Sequence, residues 1–226
     1  MNTEYLKQLT KSTLFNNIDS LSIETIINES AGKIISLKKE SIIASEGDQC
    51  RHLGILLEGK LEVQKIFPSG KIVTIGEIKP NDTFAEAVLY SQQALYPSTI
   101  VAIAESSVLL LEKNNLSIAF SHYPALMQNF INLLSNKLLA INGRLRILSL
   151  DNIRKKICFL LLEEYRRQGK LTLQLKANRE QMSQMLGVQR PSLSRELSAL
   201  QDEGIIDFDK NNFIILDLEA IEEALL

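Results

Sequence analysis

Two cysteines and two histidines are all that this 226-residue chain offers to thiol or imidazole chemistry. Cys50 and Cys158 lie far apart and fall in different predicted domains. They form no disulfide framework and no CxxC pair, and they are too few for an all-cysteine zinc or iron–sulfur site within one chain. They read as reduced, structural residues. Neither His52 nor His122 has a second histidine at ligand spacing. That argues against a cupin-like barrel enzyme, whose metal needs several histidines and a carboxylate. A Ser-His-Asp set and a phosphate loop are missing as well. No catalytic residue and no metal ligand is therefore expected. No window holds 18 consecutive apolar residues, and the segment from Met1 to Thr10 has no signal-peptide core. The expectation is a cytoplasmic protein with no membrane partner.

What is present fits a folded protein of two domains: 45% of residues are hydrophobic, 23% are charged, and no tract is low in complexity. The stretch that organises the rest is a helix expected from Pro124 to Leu150. Along it Met127, Ile131, Leu134, Leu138, Ile141, Leu145 and Leu148 are spaced 4-3-4-3-4-3. A stripe that narrow matches the seam of a coiled coil, whereas a helix lying on a globular core shows a wider apolar face. Leu133, Leu139, Ile147 and Leu150 add a second flank that could pack on the same subunit. The seam predicts a homodimer; the alternative is a buried intrachain helix.

Before this helix the period is that of strands. After two short amphipathic helices near Tyr5–Leu9 and Ser22–Ser30, seven short runs follow: 33–37, 41–44, 53–57, 61–67, 72–78, 99–104 and 107–112. Turn signals separate them, among them Glu46-Gly47-Asp48, Glu58-Gly59-Lys60 and Pro68-Ser69-Gly70. Such spacing predicts a β-sandwich or barrel-like roll. Residues 81–97 interrupt it with a short helical piece, Phe84–Tyr90, and an irregular insertion of this kind is where a ligand is expected. Asn114-Asn115 is expected to cap a further short helix.

After Asp151 the order is helix (153–165), strand (171–175), helix (179–186), a tight Gly187-Val188 turn, helix (189–203) and a β-hairpin (205–208 and 213–216). Asn178 with Gln181 is an Asn/Gln variant of the capping box. That order is a winged helix-turn-helix. Net charge is only −2, but its distribution is uneven. Residues 154–195 hold ten Lys/Arg against three Glu, a local +7, while 196–226 hold nine acids and only Lys210, a local −8. One face for a polyanion follows. In such a motif the second helix presents its first residues to base edges, here Gln189, Arg190, Ser192, Ser194 and Arg195. Asn178 and Arg179, opening the first helix, are placed for DNA phosphates. Taken singly, each arginine could be an ordinary solvated charge, and the pair of helices could be a hairpin that only packs. Two copies on a twofold axis would read a palindrome.

The segment from Asn178 to Arg195 (NREQMSQMLGVQRPSLSR), behind a β-roll and a long helix, resembles the cyclic-AMP receptor/FNR family of bacterial transcription regulators. The resemblance covers about Leu14 to Leu216 and includes Glu58-Gly59-Lys60, Pro80-Asn81-Asp82-Thr83-Phe84, and Asp151 at the position of the family's hinge aspartate. It implies an α+β architecture: a double-stranded β-roll of the cyclic-nucleotide-binding kind (1–123), a dimerisation helix and hinge (124–150), and a winged helix-turn-helix (151–226). It also implies a homodimer whose DNA-binding domains reorient when an effector binds between roll and long helix. RNA polymerase is a further candidate partner, with no residues assigned to it.

The departures concern the effector. The family's nucleotide binders use a Gly-Glu pair for the ribose and an Arg-Ser pair for the phosphate; here the matching stretches are Ala85-Glu86 and Pro97-Ser98-Thr99. Glu86 and Ser98 match, but Pro97 stands where the arginine should be. A buried cyclic phosphate would lose a charge-assisted pair worth about 2–5 kcal/mol. Ala140, Ile141 and Asn142 also replace the polar partners that adenine needs. Cyclic AMP is therefore disfavoured. The first 49 residues lack the cysteines of oxygen sensors, and Cys50-Arg51-His52 lies away from the haem position, with Cys50 expected on a polar loop and His52 solvated. Neither haem nor an iron–sulfur cluster is expected. The remaining reading is another small molecule, aromatic or anionic, near Phe84, Glu86, Tyr90, Tyr96, Pro97, Ser98, Thr99, Asn142 and Arg144. The alternatives are a constitutive regulator with a merely packed roll, and an adaptor that has lost DNA binding.

Overall fold

A computed structural model describes residues 3–225. Met1, Asn2 and Leu226, which the expected ranges 1–123 and 151–226 include, lie outside them. Two compact units result, one up to Asn136 and one from Lys137 onward.

The first unit opens with helices α1 (Thr3–Leu9) and α2 (Ser20–Glu29). Asp19 caps α2, accepting the Leu21 and Ser22 amides at 3.1 and 3.0 Å. The roll follows as β1 (Lys33–Leu37), β2 (Ile42–Ala44), β3 (His52–Glu58), β4 (Leu61–Ile66), β5 (Ile72–Ile78), β6 (Thr83–Phe84), β7 (Thr99–Ala102) and β8 (Ser106–Glu112). They form two antiparallel four-stranded sheets, ordered β1-β8-β3-β6 and β2-β7-β4-β5. β3 runs at the centre of its sheet, and its residues Leu53 to Leu57 are all buried. It is apolar on both faces for that reason, while the edge strands β1 and β5 are mostly exposed or half-buried. The Pro68-Ser69-Gly70 turn joins β4 to β5 as its hairpin chemistry requires.

The insertion after β5 differs from expectation at its start. Thr83 and Phe84 are strand, paired with Ile55 and Gly54 of β3, so helix α3 is confined to Glu86–Leu89. Ala85 makes the junction in the left-handed conformation, at φ 68°. Phe84, expected beside a ligand, is a core residue instead. Its ring lies across Gly54, where an added Cβ would fall 2.0 Å from Phe84 Cζ, so only glycine lets the ring close against β3. Helix α4 (Lys113–His122) is capped by Glu112, whose carboxylate accepts the Asn115 amide at 2.9 Å. The expected Asn114-Asn115 cap is already inside this helix.

Helix α5 spans Pro124–Ser149, 26 residues. Its inner side carries Leu126 and Phe130 in the core of the first unit, and buries Leu133. Ile147 joins the core of the second unit, with Leu150 packed partly against it. Leu139, expected on this flank, is 68% exposed and belongs to neither core.

The second unit continues with α6 (Ile153–Gln168), β9 (Thr172–Gln174), α7 (Arg179–Leu186), α8 (Arg190–Asp202), the hairpin β10 (Ile206–Asp209) and β11 (Asn212–Ile215), and α9 (Leu218–Glu223). The three strands form an antiparallel sheet ordered β10-β11-β9. Its core centres on Ile157, Leu161, Met182, Leu193, Leu197 and Phe213. Helix α9 was absent from the sequence reading; Asp217 caps it and Ile221 is its one fully buried side chain. An apolar signal that sparse is below what periodicity detects.

Ala85 carries a Cβ where the left-handed conformation disfavours one. Ala85→Gly should raise the unfolding free energy by up to about 1 kcal/mol in urea titrations, with an unchanged slope. A loss of stability would show that Ala85 is not strained.

Candidate DNA-reading surface and effector site

The helix-turn-helix is built by local chemistry. Asn178 accepts the Gln181 amide at 2.9 Å and Gln181 Oε1 accepts the Asn178 amide at 2.9 Å, the reciprocal capping box that the spacing predicts. Helix α7 ends on Gly187 at φ 64°. The turn also lies against the end of α5, because a Cβ on Gly187 would fall 2.7 Å from Leu148 Cδ2. Glycine there serves both the left-handed turn and the close approach. Pro191, in the first turn of α8, then sets the start of the second helix.

Of the residues predicted to read bases, Gln189, Arg190, Ser194 and Arg195 are exposed and Ser192 is half-buried. Gln189 is the N-cap of α8, so all five cluster in its first two turns, and Arg195 Nη2 donates to Ser192 Oγ at 3.3 Å. Arg190 keeps a long contact to Glu180, 3.9 Å, with most of its side chain in solvent. Asn178, Arg179, Arg190 and Lys210 line one shallow concavity. Lys210 stands at the wing turn with φ 51°. Sequence reasoning did not select it, although it is the sole cation of the acidic segment and sits in a hairpin turn.

Arg179 and Asn178 have prior engagements. The Arg179 guanidinium stacks 4.6 Å from the Phe208 ring centre and 4.9 Å from that of Phe213, and burial pulls its pKa down. It is thus packed on the wing as well as placed for a phosphate. Asn178 spends its carboxamide oxygen on the cap, which leaves the amide end for DNA.

Arg154 is a residue the sequence reading counted only as charge. Its Nε donates to Glu196 at 2.7 Å, and Nη1 and Nη2 donate to the two oxygens of Glu203 at 2.7 and 2.6 Å. These bonds raise the Arg154 pKa and pull that of Glu203 down. One guanidinium thereby ties α6 to both the middle and the end of α8, and holds the reading helix in place. Lys156 similarly donates to the Leu186 carbonyl at 3.1 Å, at the end of α7. Arg166 and Arg167 pair with Glu163 and Glu164 one turn away. The Arg166 and Arg167 pairs are already counted in the net +7; Arg154, paired with acids of the following segment, lowers it further, so three of the ten cations are engaged in close ion pairs inside the domain. Asp151 is exposed between α5 and α6, and Asn152 caps α6 by accepting the Lys155 amide at 2.8 Å.

The expected effector residues lie in both units, and those of the first unit differ in exposure. Glu86, Ser98 and Thr99 are buried in the roll, and Thr99 Oγ1 accepts the Glu46 amide at 3.2 Å. Pro97 is exposed; its carbonyl accepts Lys65 Nζ at 3.4 Å. Lys65 thus lies beside Pro97, and Glu46 already pairs with it. Tyr90 points its ring edge at Phe130, 5.8 Å between centres, and its hydroxyl binds the Lys113 carbonyl and Ser117. It clamps α3 to α4 and α5 within the first unit instead of facing a ligand. Tyr96 is buried, hydrogen-bonded to Cys50, and burial raises its pKa. Asn142 and Arg144 belong to the second unit. Aromatic and polar types on an irregular loop suit a pocket and a core equally, which is why the sequence could not separate them.

Cys50, expected on a polar loop, is 1% exposed, and His52 is half-buried at the start of β3. Burial raises the thiol pKa of Cys50 and pushes that of Cys158 up to about 11, so both stay protonated near neutrality. Among the described residues no group of three or more His, Cys, Asp or Glu is placed to hold a metal, and no helix is long and apolar enough to cross a membrane.

Comparison with known proteins agrees with this architecture. Residues 34–123 match the cyclic nucleotide-binding domain and residues 155–224 the Crp-like helix-turn-helix domain. The chain is similar to the anaerobic regulatory protein of Bacillus subtilis, 22% identical over 213 residues, covering 92% of this chain and 85% of that protein. It is 24% identical over 178 residues to the cyclic AMP receptor protein of Thermus thermophilus, covering 79% and 81%. Among solved structures the catabolite activator protein of T. thermophilus shares the fold, with a TM-score of 0.55 at 21% identity over 95% of this chain and 98% of that one.

Replacing Arg154 by Met strands Glu196 and Glu203. The melting temperature near neutral pH should fall by about 4 °C, and DNA affinity should fall with no change in the preferred bases. Glu203 has a depressed folded-state pKa, so the stabilisation exists above its unfolded value and is lost as pH falls through the folded one. The gap between the two melts should therefore narrow as pH falls below the ordinary glutamate value of about 4.3 and close once pH passes the lowered folded value. A gap that persists there would assign the effect to lost packing.

Proposed function

We propose, for a chain that belongs to the Crp/Fnr family of transcription regulators and is not an enzyme, that it acts as a cytoplasmic homodimer reading a palindromic DNA site under control of a small molecule. The observation that carries the dimer is the seam. Met127, Ile131, Leu138, Ile141, Leu145 and Leu148 are 45% to 60% exposed on the single chain, and only Leu134 is partly covered. Six large apolar side chains in one narrow row are what a second copy of the same helix would bury.

Base reading rests on Arg190 and Arg195, which can each offer a guanidinium fork to guanine O6 and N7 from the start of α8. Phosphate contact rests on Asn178, Arg179 and Lys210 at the rim of the same concavity. The effector reading rests on the match of residues 34–123 to a cyclic nucleotide-binding domain. Pro97 and the Glu46-paired Lys65 argue that it is not cyclic AMP, since neither gives a buried phosphate a free cation. The buried, protonated cysteines and the scattered histidines favour an effector other than haem or an iron–sulfur cluster. RNA polymerase stays a partner inferred from the family alone. An effector-free, constitutive regulator is the second reading, favoured by Phe84 and Tyr96, which are buried in the core of the roll where a ligand was expected.

Selection of sites from a random DNA pool without added ligand tests the regulator, and an enriched palindrome is the expected result for a competent dimer. Arg190→Ala should then cost about 1–3 kcal/mol at the selected site and relax the preference at one base pair of each half-site. An equal loss on all sequences would remove Arg190 from base reading. Ile141→Asp should convert the dimer to folded monomers in sedimentation equilibrium, because the wild-type side chain is 57% exposed on the single chain and belongs to neither core. An unaltered dimer mass would locate the interface elsewhere.

A further inference from the structure

The second unit carries a concavity of about 690 Å³ that the DNA-reading surface does not use. Ala140, Gly143 and Ile147 of α5 form one wall, with Phe159 of α6 and Met185 of α7 opposite, and Arg144 and Lys176 add the cations. The volume is that of a small-molecule site.

Three observations say what fits there. First, Gly143 sits inside a long helix, at a cost in helix stability, yet a Cβ on it would meet nothing within 4 Å. Neither its backbone nor packing within the chain demands glycine; its smallness keeps the concavity open. Second, the charges are unbalanced. Glu163 is paired with Arg166 at 3.0 Å, whereas Arg144 and Lys176 hold no ion pair among the described residues. An anion is therefore the complementary head group. Third, the apolar lining is the half-exposed Met185 thioether beside the largely buried Ile147 and Phe159, whose ring also carries the Arg146 guanidinium 4.7 Å from its centre, and a thioether edge packs well against a flat ring.

The occupant is not a second copy of α5. At about 100° per residue, Ala140, Gly143, Arg144 and Ile147 centre roughly 130° around the helix from the seam. A partner helix on the seam leaves this side open. We propose that the concavity binds an aromatic monocarboxylate, with the ring against Ile147, Phe159 and Met185 and the carboxylate between Arg144 and Lys176. Because Gln181 and Gln184 of α7 also line it, such a ligand touches both the long helix and the first helix of the DNA-reading motif.

Isothermal titration of the full chain with 2-naphthoate and its neutral amide, 2-naphthamide, tests this. Naphthoate should bind once per chain, about tenfold more tightly than the amide. Gly143→Leu, which favours the helix and fills the space, should weaken naphthoate by tenfold or more. Arg144→Ala combined with Lys176→Ala should bring naphthoate down to the affinity of the amide and leave the amide unchanged. No heat with naphthoate at millimolar concentration, or equal binding by the Gly143→Leu variant, overturns the proposal. Neither result bears on DNA binding, which site selection measures separately.

Discussion

A helix of 26 residues that holds a row of Leu, Ile and Met in water is the constraint around which this molecule is arranged. Removing apolar surface from water is the main favourable term in association, and a seam this regular specifies what should cover it: another helix with the same spacing. Under the dimer reading the twofold axis runs along α5 and relates two reading helices, and a palindromic site follows from that symmetry. The same helix buries Leu126, Phe130 and Leu133 on one side and Ile147 near its end. It is therefore committed on several faces at once, which accounts for the little freedom in its sequence to be polar along those rows.

The reading helix depends on few but directional contacts. Its axis is held by Arg154 through Glu196 and Glu203, its approach by the Gly187 turn against Leu148, and its first turn by Pro191. Hydrogen bonds to a guanidinium fix angle as well as distance, so this clamp sets where Arg190 and Arg195 point more sharply than apolar packing would. A seam residue, Leu148, touches the turn of the motif directly. Anything that shifts the end of α5 acts on that turn without a relay.

Legibility followed the size of the physical signal. The capping box at Asn178 and Gln181, the strands Lys33–Leu37 and Ile72–Ile78, and the helix beginning at Pro124 were readable because each is a local rule with a fixed spacing. Strand β6, two residues long, has no period to detect. Helix α9 buries one side chain fully. At the expected effector residues, side-chain type and packing diverge. Phe84, Tyr90 and Tyr96 have the residue types of a pocket, but their rings close on Gly54, on Phe130 and beside Cys50.

By itself the sequence determined the order of elements, the apolar seam and the position of the helix-turn-helix. All of these depend on residues close in the chain, where backbone geometry turns spacing into a face or a cap. Only the tertiary structure decided that Arg154 clamps the reading helix, that Arg179 lies on Phe208 and Phe213, that Lys65 beside Pro97 is already neutralised by Glu46, and that Cys50 is buried. Those outcomes join residues tens of positions apart, or set the burial of a group whose type allows either environment. Charge and aromaticity say what a side chain can do; the packing around it selects which of those it does.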